Sequence, residues 1–260
     1  MTDRERAIEF LRETYRRRVE RVETHAWGEL VVTPGLPRVY DANFAVVERW
    51  GGDAAGLQRE MDRVQNEHGF AHRKVVIPDE TLAARLWPAL ERLDWPLRHR
   101  YLVMAQTRPP DRPADTSIEV LAVGDVDWRR GRQAQIELEG HGSDPEVTRQ
   151  LLDLDRRLAE AMDFRHLASF VDGGIASYAG LYLDGTVGQI EDVATLPTYR
   201  DRGLARAVVL RAVAEARQAG AELVFLVAAE EDWPKELYRR LGFDAIGVEH
   251  VVTRPAEHDS

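Results

Sequence analysis

The stretch Val193-Ala-Thr-Leu-Pro-Thr-Tyr-Arg-Asp-Arg-Gly-Leu-Ala205 is the one whose reading decides the fold, and Tyr238-Arg-Arg-Leu-Gly-Phe243 follows it 33 residues later. A β-rich run stops at Pro197, a short polar loop follows, and Gly203 opens a long amphipathic helix. The first N–H groups of such a helix have no intrahelical acceptor and point outward from its positive dipole end. Arg200, Arg202 and Arg206 surround them. Backbone donors, dipole and guanidinium groups together make an anion site of pyrophosphate size. Gly203 suits the site because a side chain there would block the approach of a phosphate.

Composition narrows the classes to which such a site can belong. The chain has 260 residues, 44% hydrophobic and 31% charged, as in an ordinary globular protein with material for one large domain or two modest ones. It has no cysteine, which removes disulfides, a thiolate nucleophile and Cys-ligated zinc. A formal net charge of −10 argues against nonspecific nucleic-acid binding and mildly favours a cationic substrate. No apolar run is long enough to cross a bilayer, and Met1-Thr-Asp-Arg-Glu-Arg reads as the start of a charged helix rather than a signal peptide, so a cytoplasmic location is expected. Lys74 and Lys235 are the only lysines among many arginines, a coding bias that suggests a GC-rich bacterial genome. The eight histidines form no metal signature: His68 and His72 are four apart, but Gly69 breaks the helical face between them. No metal is expected.

Periodicity and punctuation divide the chain. Residues 107–116 contain three prolines and no large apolar side chain, the composition of a linker. Beyond them the pattern predicts a strand over 117–123, helices over 126–140 and 144–162, strands over 167–171, 175–183 and 188–196, and a helix from Gly203 to Gly220. A strand over 223–228, a helix over 233–241 and a last strand or pair of strands over 243–253 complete the order. Gly173-Gly174 and Asp184-Gly185 are the expected hairpin turns. In the N-terminal half, Arg49, Gly52, Ala54 and Gly69 each lie 151 positions before Arg200, Gly203, Ala205 and Gly220, and Arg92-Leu93-Asp94-Trp95 lies 148 before Arg240-Leu241-Gly242-Phe243. With helices predicted over 55–68 and 81–93 and a strand over 74–77, this half reads as a degraded copy of the other. Asp53 stands in its loop where an anion would sit, and Leu90 stands where Tyr238 would fall.

The pattern Arg200-x-x-Gly203-x-Ala205 resembles the acetyl-CoA signature of the GNAT superfamily of N-acetyltransferases, and Leu237-Tyr238-Arg239-Arg240-Leu241-Gly242-Phe243 resembles its second motif. The resemblance implies an α/β (α+β) fold, with a mixed twisted central sheet flanked by helices and a related partial copy at the N-terminus. Residues 1–108 would form a degenerate domain, 109–116 a linker, 117–254 the catalytic domain and 255–260 a tail. It further implies acetyl-CoA as co-substrate, bound by Val193, Ala194, Thr195, Arg200, Asp201, Arg202, Gly203, Leu204, Ala205 and Arg206. The acceptor would be a small-molecule or peptide amine, with neither membrane nor nucleic acid as partner; homodimerisation is left open. Tyr238 would be the general acid, protonating the departing CoA thiolate, and Glu191 the base, with Asp192 on the opposite face of an alternating strand. Glu137, Glu139 and His141 would lie near the acceptor. Many family members carry an asparagine about seven residues before the tyrosine; here Glu231 and Asp232 occupy that stretch. The rival reading is a non-catalytic acyl-CoA-binding sensor or interaction module.

Overall fold

The computed structural model describes residues 1–93, 95–138 and 144–256. The chain forms two compact units, and neither is continuous in sequence. One comprises Met1–Phe10, Val103–Ala228 and Asp232–Ile246; the other comprises Leu11–Leu102, Ala229–Glu231 and Gly247–Ser260. Helix α1 (Asp3–Arg18) and strands β5 (Leu97–Gln106) and β11 (Phe243–Arg254) contribute residues to both, as does the last residue of β10 (Leu223–Ala229).

The first unit contains β6 (Leu121–Ala122), α4 (Asp125–Leu138), α5 (Pro145–Ala161), β7 (Asp163–Val171), β8 (Gly174–Asp184), β9 (Val187–Thr195), α6 (Leu204–Gln218), β10 (Leu223–Ala229) and α7 (Pro234–Arg240). Its strands run in the order β5-β10-β9-β8-β7-β6. Strands β6 to β9 are antiparallel, and β10 joins β9 in parallel because α6 carries the chain back across the sheet. The buried stripe of α6, Leu204, Val208, Ala212 and Ala216 with Ala207 and Val209, packs on β8 and β9. A fully buried Leu or Val in such a stripe stabilises the fold by roughly 1.5–3 kcal/mol. Asp144 accepts a hydrogen bond from the Glu146 N–H at 2.9 Å and caps α5, with Pro145 at its first position.

Two expectations are corrected in this unit. Only Leu121 and Ala122 of the expected strand 117–123 pair, with Ala168 and Leu167. The Asp115 carboxylate instead accepts from the Ser117 N–H and hydroxyl, at 2.9 and 2.7 Å, and this turn outcompetes the ladder. The first hairpin turns at Asp172-Gly173, one residue earlier than expected; both have positive φ, and Val171 pairs with Gly174.

The second unit contains β1 (Arg21–His25), β2 (Gly28–Val32), β3 (Phe44–Val47), α2 (Ala54–Glu67), β4 (Arg73–Ile77) and α3 (Glu80–Leu90). Its strand order is β1-β2-β3-β4-β11. Its core is formed by Leu30, Leu57, Met61, Ile77, Leu86 and Trp95 with their neighbours. The architecture repeats that of the first unit: β3 and β4 pair in parallel, as β9 and β10 do, with α2 in the place of α6. Gly69 and Gly220, 151 positions apart, end α2 and α6 with φ of +71° and +92°. The chain is thus built from two related α/β halves.

Candidate functional site

The site grows from an irregularity in β9. Glu191 pairs with Gly180 and Ala194 with Tyr178, so Asp192 and Val193 together face Ala179 alone. This is a β-bulge, and Asp192 takes a φ of +52° to form it. Regular alternation therefore ends at Asp192, and the simple opposition expected between Glu191 and Asp192 does not describe the strand. The parallel ladder with β10 ends at Ile190↔Leu226, although β10 continues to Ala229. Residues 191–195 thus run on with β8 as their paired neighbour and no ladder to β10.

At the end of β9 the Leu196 N–H donates to the Ala176 carbonyl at 3.0 Å, and a single 3-10 turn, Pro197–Tyr199, leads into the loop. Asp201 and Gly203 have φ of +62° and +79°. Gly203 occupies the N-cap of α6 with no side-chain cap, and the Gly203 carbonyl accepts from the Ala207 N–H at 3.1 Å. The N–H groups of residues 204–206 precede that bond and lack intrahelical acceptors. An added Cβ at Gly203 would meet only Ile118 Cδ1, at 3.6 Å, so the glycine serves the left-handed turn and the open approach to the helix end.

The three loop arginines are not equivalent. Arg200 donates to the Thr195 carbonyl and Arg202 to the Thr198 carbonyl, both at 3.3 Å, and Arg202 also stacks over the Tyr199 ring. Arg206 is 6% exposed; it pairs with the Asp111 carboxylate at 2.7 Å and donates to the Arg112 carbonyl at 3.0 Å. Val193, Ala194 and Thr195 are half-buried, and the Ser177 hydroxyl meets the Ala194 carbonyl and the Thr195 hydroxyl at 2.8 and 2.9 Å. Leu204 is buried in the core, and Ala205 is half-buried.

Tyr238 lies on α7 and is 7% exposed. Burial pushes its phenol up to about 12, and the nearby carboxylates of Glu191 and Asp232 push in the same direction. The fold thus brings Glu191 and Tyr238, 47 positions apart in the chain, within electrostatic reach of each other. The Glu191 carboxylate accepts a hydrogen bond from the Gln189 amide, two residues back on the strand. Asp192 is held by Arg132 of α4 at 3.3 Å, and Arg132 pairs at the same time with Asp155 of α5 at 3.0 Å. Burial opposes the charge on Arg132, but the two carboxylates outweigh it and hold the guanidinium ionised. Tyr178 donates to Gln135 of α4. Glu137 is exposed and accepts from Gln133 at 2.9 Å; Glu139 and His141 lie outside the described residues. Among the described residues no cluster of metal-ligating side chains occurs, and no helix is long and apolar enough to cross a membrane.

Sequence reasoning missed the bulge, the Arg132–Asp155–Asp192 ion pairs and the engagement of Arg206. Consecutive Glu191-Asp192 in mid-strand was the one available sign of the first. The other two join residues far apart in the chain, and nothing local marks them.

The equivalent loop of the other half is closed. Asp53 caps α2 by accepting the Gly56 N–H at 2.7 Å, and Arg85 donates to the carbonyls of Trp50 and Gly52. A carboxylate occupies the helix end that α6 leaves open.

Residues 132–243, from the Arg132 helix to the end of the Tyr238 motif, match the family model of the acetyltransferase (GNAT) family. Over this segment the chain is similar to the GNAT acetyltransferases, a family that transfers acyl groups from acetyl-CoA. A GCN5-related N-acetyltransferase from Kribbella flavida shares the fold at TM-score 0.64 and 15% identity, over 98% of this chain and 96% of that one. A functionally unknown conserved protein from Staphylococcus epidermidis aligns at TM-score 0.65 and 13% identity, over 87% and 90% of the two chains. A tandem GNAT protein from the clavulanic acid biosynthesis pathway aligns at TM-score 0.52 and 14% identity, over 78% and 69%. No curated protein matches in sequence.

Proposed function

We propose that the chain transfers an acetyl group from acetyl-CoA to an amine by direct attack on the thioester, at the α6 end of the first unit. The single observation that carries the reading is the pairing of an uncapped, glycine-opened helix with a buried tyrosine that lies within the electrostatic field of a carboxylate on the bulged strand. The pyrophosphate would lie on the free N–H groups at the start of α6, beside Arg200 and Arg202. The pantetheine arm would follow residues 191–195, where β9 has left the β10 ladder. A β9 backbone N–H would stabilise the oxyanion.

Glu191, directly or through water, removes a proton from the acceptor ammonium. The free amine attacks the thioester carbonyl; the tetrahedral intermediate releases its second N–H proton to water and expels CoA thiolate, which takes its proton from Tyr238. With its phenol near 12, Tyr238 keeps its proton throughout the physiological range and is restored from solvent after each turnover. Asp192, already paired with Arg132, is the poorer base of the two acidic residues at the bulge. The second unit, with Asp53 on its helix end, binds no donor and serves as support.

Release of free thiol from acetyl-CoA over a panel of polyamines, aminoglycosides, amino acids and peptide N-termini tests the reading. The cysteine-free chain adds no thiol background. Amine-dependent release is expected; acetyl-CoA binding with no release for any acceptor would leave only the non-catalytic reading.

A further inference from the structure

The segment between β5 and β6 contains neither helix nor strand up to Leu121, yet it is fastened along its length. At its start, the N–H groups of Thr107 and Arg108 donate to the Gly242 carbonyl at 3.0 and 3.3 Å. The Arg108 guanidinium grips the Asp244 carboxylate at 2.9 Å and donates to the Arg239 carbonyl at 2.9 Å. The Asp111 N–H donates to the Arg240 carbonyl at 2.8 Å. These acceptors are the residues that directly follow Tyr238. Gly242, with φ of +89°, allows the contact, since a Cβ there would stand 2.0 Å from the Arg108 carbonyl oxygen.

The same segment then reaches the donor loop. Asp111 and the Arg112 carbonyl take both ends of the Arg206 guanidinium, two residues inside α6. Ile118 stands beside Gly203, and Arg211, farther along α6 than Arg206, donates to the Val120 carbonyl at 2.9 Å. Asp111 is therefore joined through its backbone to the end of the Tyr238 helix and through its side chain to the start of the donor helix. Arg206 is buried and committed on two sides, a poor state from which to reach a phosphate.

We propose that residues 107–118 are a clasp that holds the α6 start and the Tyr238 helix in register, with Asp111–Arg206 as its fastener. Arg206 is then a positioning residue, acting on the donor through the loop it secures rather than by touching phosphate. The proposal rests on the donor site described above. It explains why the third arginine of the loop, unlike Arg200 and Arg202, is inside the protein.

Calorimetric titration of acetyl-CoA into the full chain, with Asp111→Asn, Arg206→Gln and the double variant, separates the alternatives. The clasp predicts that Asp111→Asn weakens acetyl-CoA roughly 5- to 20-fold, that Arg206→Gln weakens it at least as much because it also loses the Arg112 carbonyl, and that the double variant is no worse than Arg206→Gln alone, because the Asp111–Arg206 contact is shared. Acetyl-pantetheine, which has no phosphate, should lose affinity by the same factor. A phosphate-binding Arg206 predicts the reverse for Asp111→Asn, whose loss of a competing carboxylate would tighten acetyl-CoA, and predicts no effect on acetyl-pantetheine. Either result overturns the clasp. Asp111 is half exposed, so Asp111→Asn decides the matter if Arg206→Gln does not fold. A wild-type chain that binds no acetyl-CoA would defeat the donor site, and the clasp with it; wild-type binding unaffected by Asp111→Asn would defeat the clasp alone.

Discussion

Two residues carry the proposed chemistry, and they make separate predictions. Tyr238→Phe keeps the buried ring and removes the proton, so kcat should fall by roughly 10²–10⁴ with acetyl-CoA affinity unchanged. Steady-state rates beside calorimetry test this; a loss of under about threefold would reduce Tyr238 to a packing residue. Because burial raises the phenol to about 12, loss of its proton should not limit the rate at pH 10, where an exposed tyrosine would be half ionised. Glu191→Gln should slow the enzyme most at low pH, where the acceptor amine is hardest to deprotonate. A pH–rate profile superimposable on wild type would remove Glu191 as the base. Neither role could be read from the residue alone. Tyrosine on a helix and glutamate on a strand are common, and only the fold places them in each other's field.

At the scale of the element, the α6 N-terminus and its counterpart on α2 test the anion site against each other. Gly203→Asp should abolish acetyl-CoA binding by setting a carboxylate against the pyrophosphate. Gly203→Asn, which tolerates the left-handed φ without a charge, should retain much of it. Equal affinities for the two variants, measured by calorimetry on folded protein, would show that charge at this point is irrelevant.

The strand–turn segment around His72 makes a different prediction. His72 is 1% exposed, bonded through Nε2 to the Asn43 carbonyl at 2.7 Å, and stacked on Tyr40. Burial, with Lys74 and Arg73 nearby, lowers its pKa from 6.5 to about 4, against the opposing pull of Asp41 and the Asn43 bond. The unfolded chain therefore binds this proton more readily than the folded one. The associated stability is full above about pH 6.5 and is lost as the pH falls toward 4, by at most about 3 kcal/mol. Urea midpoints from pH 7 to 4.5 should fall less steeply in His72→Gln, which keeps a donor but cannot titrate. Parallel slopes would show that His72 does not sense acid.

The whole molecule determines whether either half can stand alone. Val251 and Val252 of β11 are buried and pair with Val76 and Val75 of β4, while β10 has β5 as a neighbour in its sheet. A fragment of residues 117–260 lacks both β4 and β5. It would expose a paired strand and an open sheet edge, so it should be poorly soluble and should lose activity. The full chain should bind one acetyl-CoA, because Asp53 caps the second helix end. A soluble, fully active 117–260 fragment would contradict the supporting role, and two donors per chain would contradict the closed second site.

Most helices and strands were legible in the chain because their signals are local. The apolar stripe of α6 and the Asp144-Pro145 start of α5 each lie within a few residues of the structure they cause, and the arginine–glycine loop marks the open start of α6, the proposed donor site, in the same way. The offset of 151 positions revealed the second half, because duplicated elements keep their spacing even where Asp53 and Leu90 stand in place of the residues proposed to act on the ligand. What required the tertiary structure depended on contacts between distant residues. The bulge at Asp192 follows from register against β8, a property of two strands and not of one. The stretch 107–116 has the composition of a linker, yet its backbone and charged groups find partners on α6, α7 and β11 that no local pattern announces. The number of available partners decides the fate of a polar side chain, and only the folded chain sets that number: by sequence Arg206 is one of three equivalent cations, and by structure it is the one held inside.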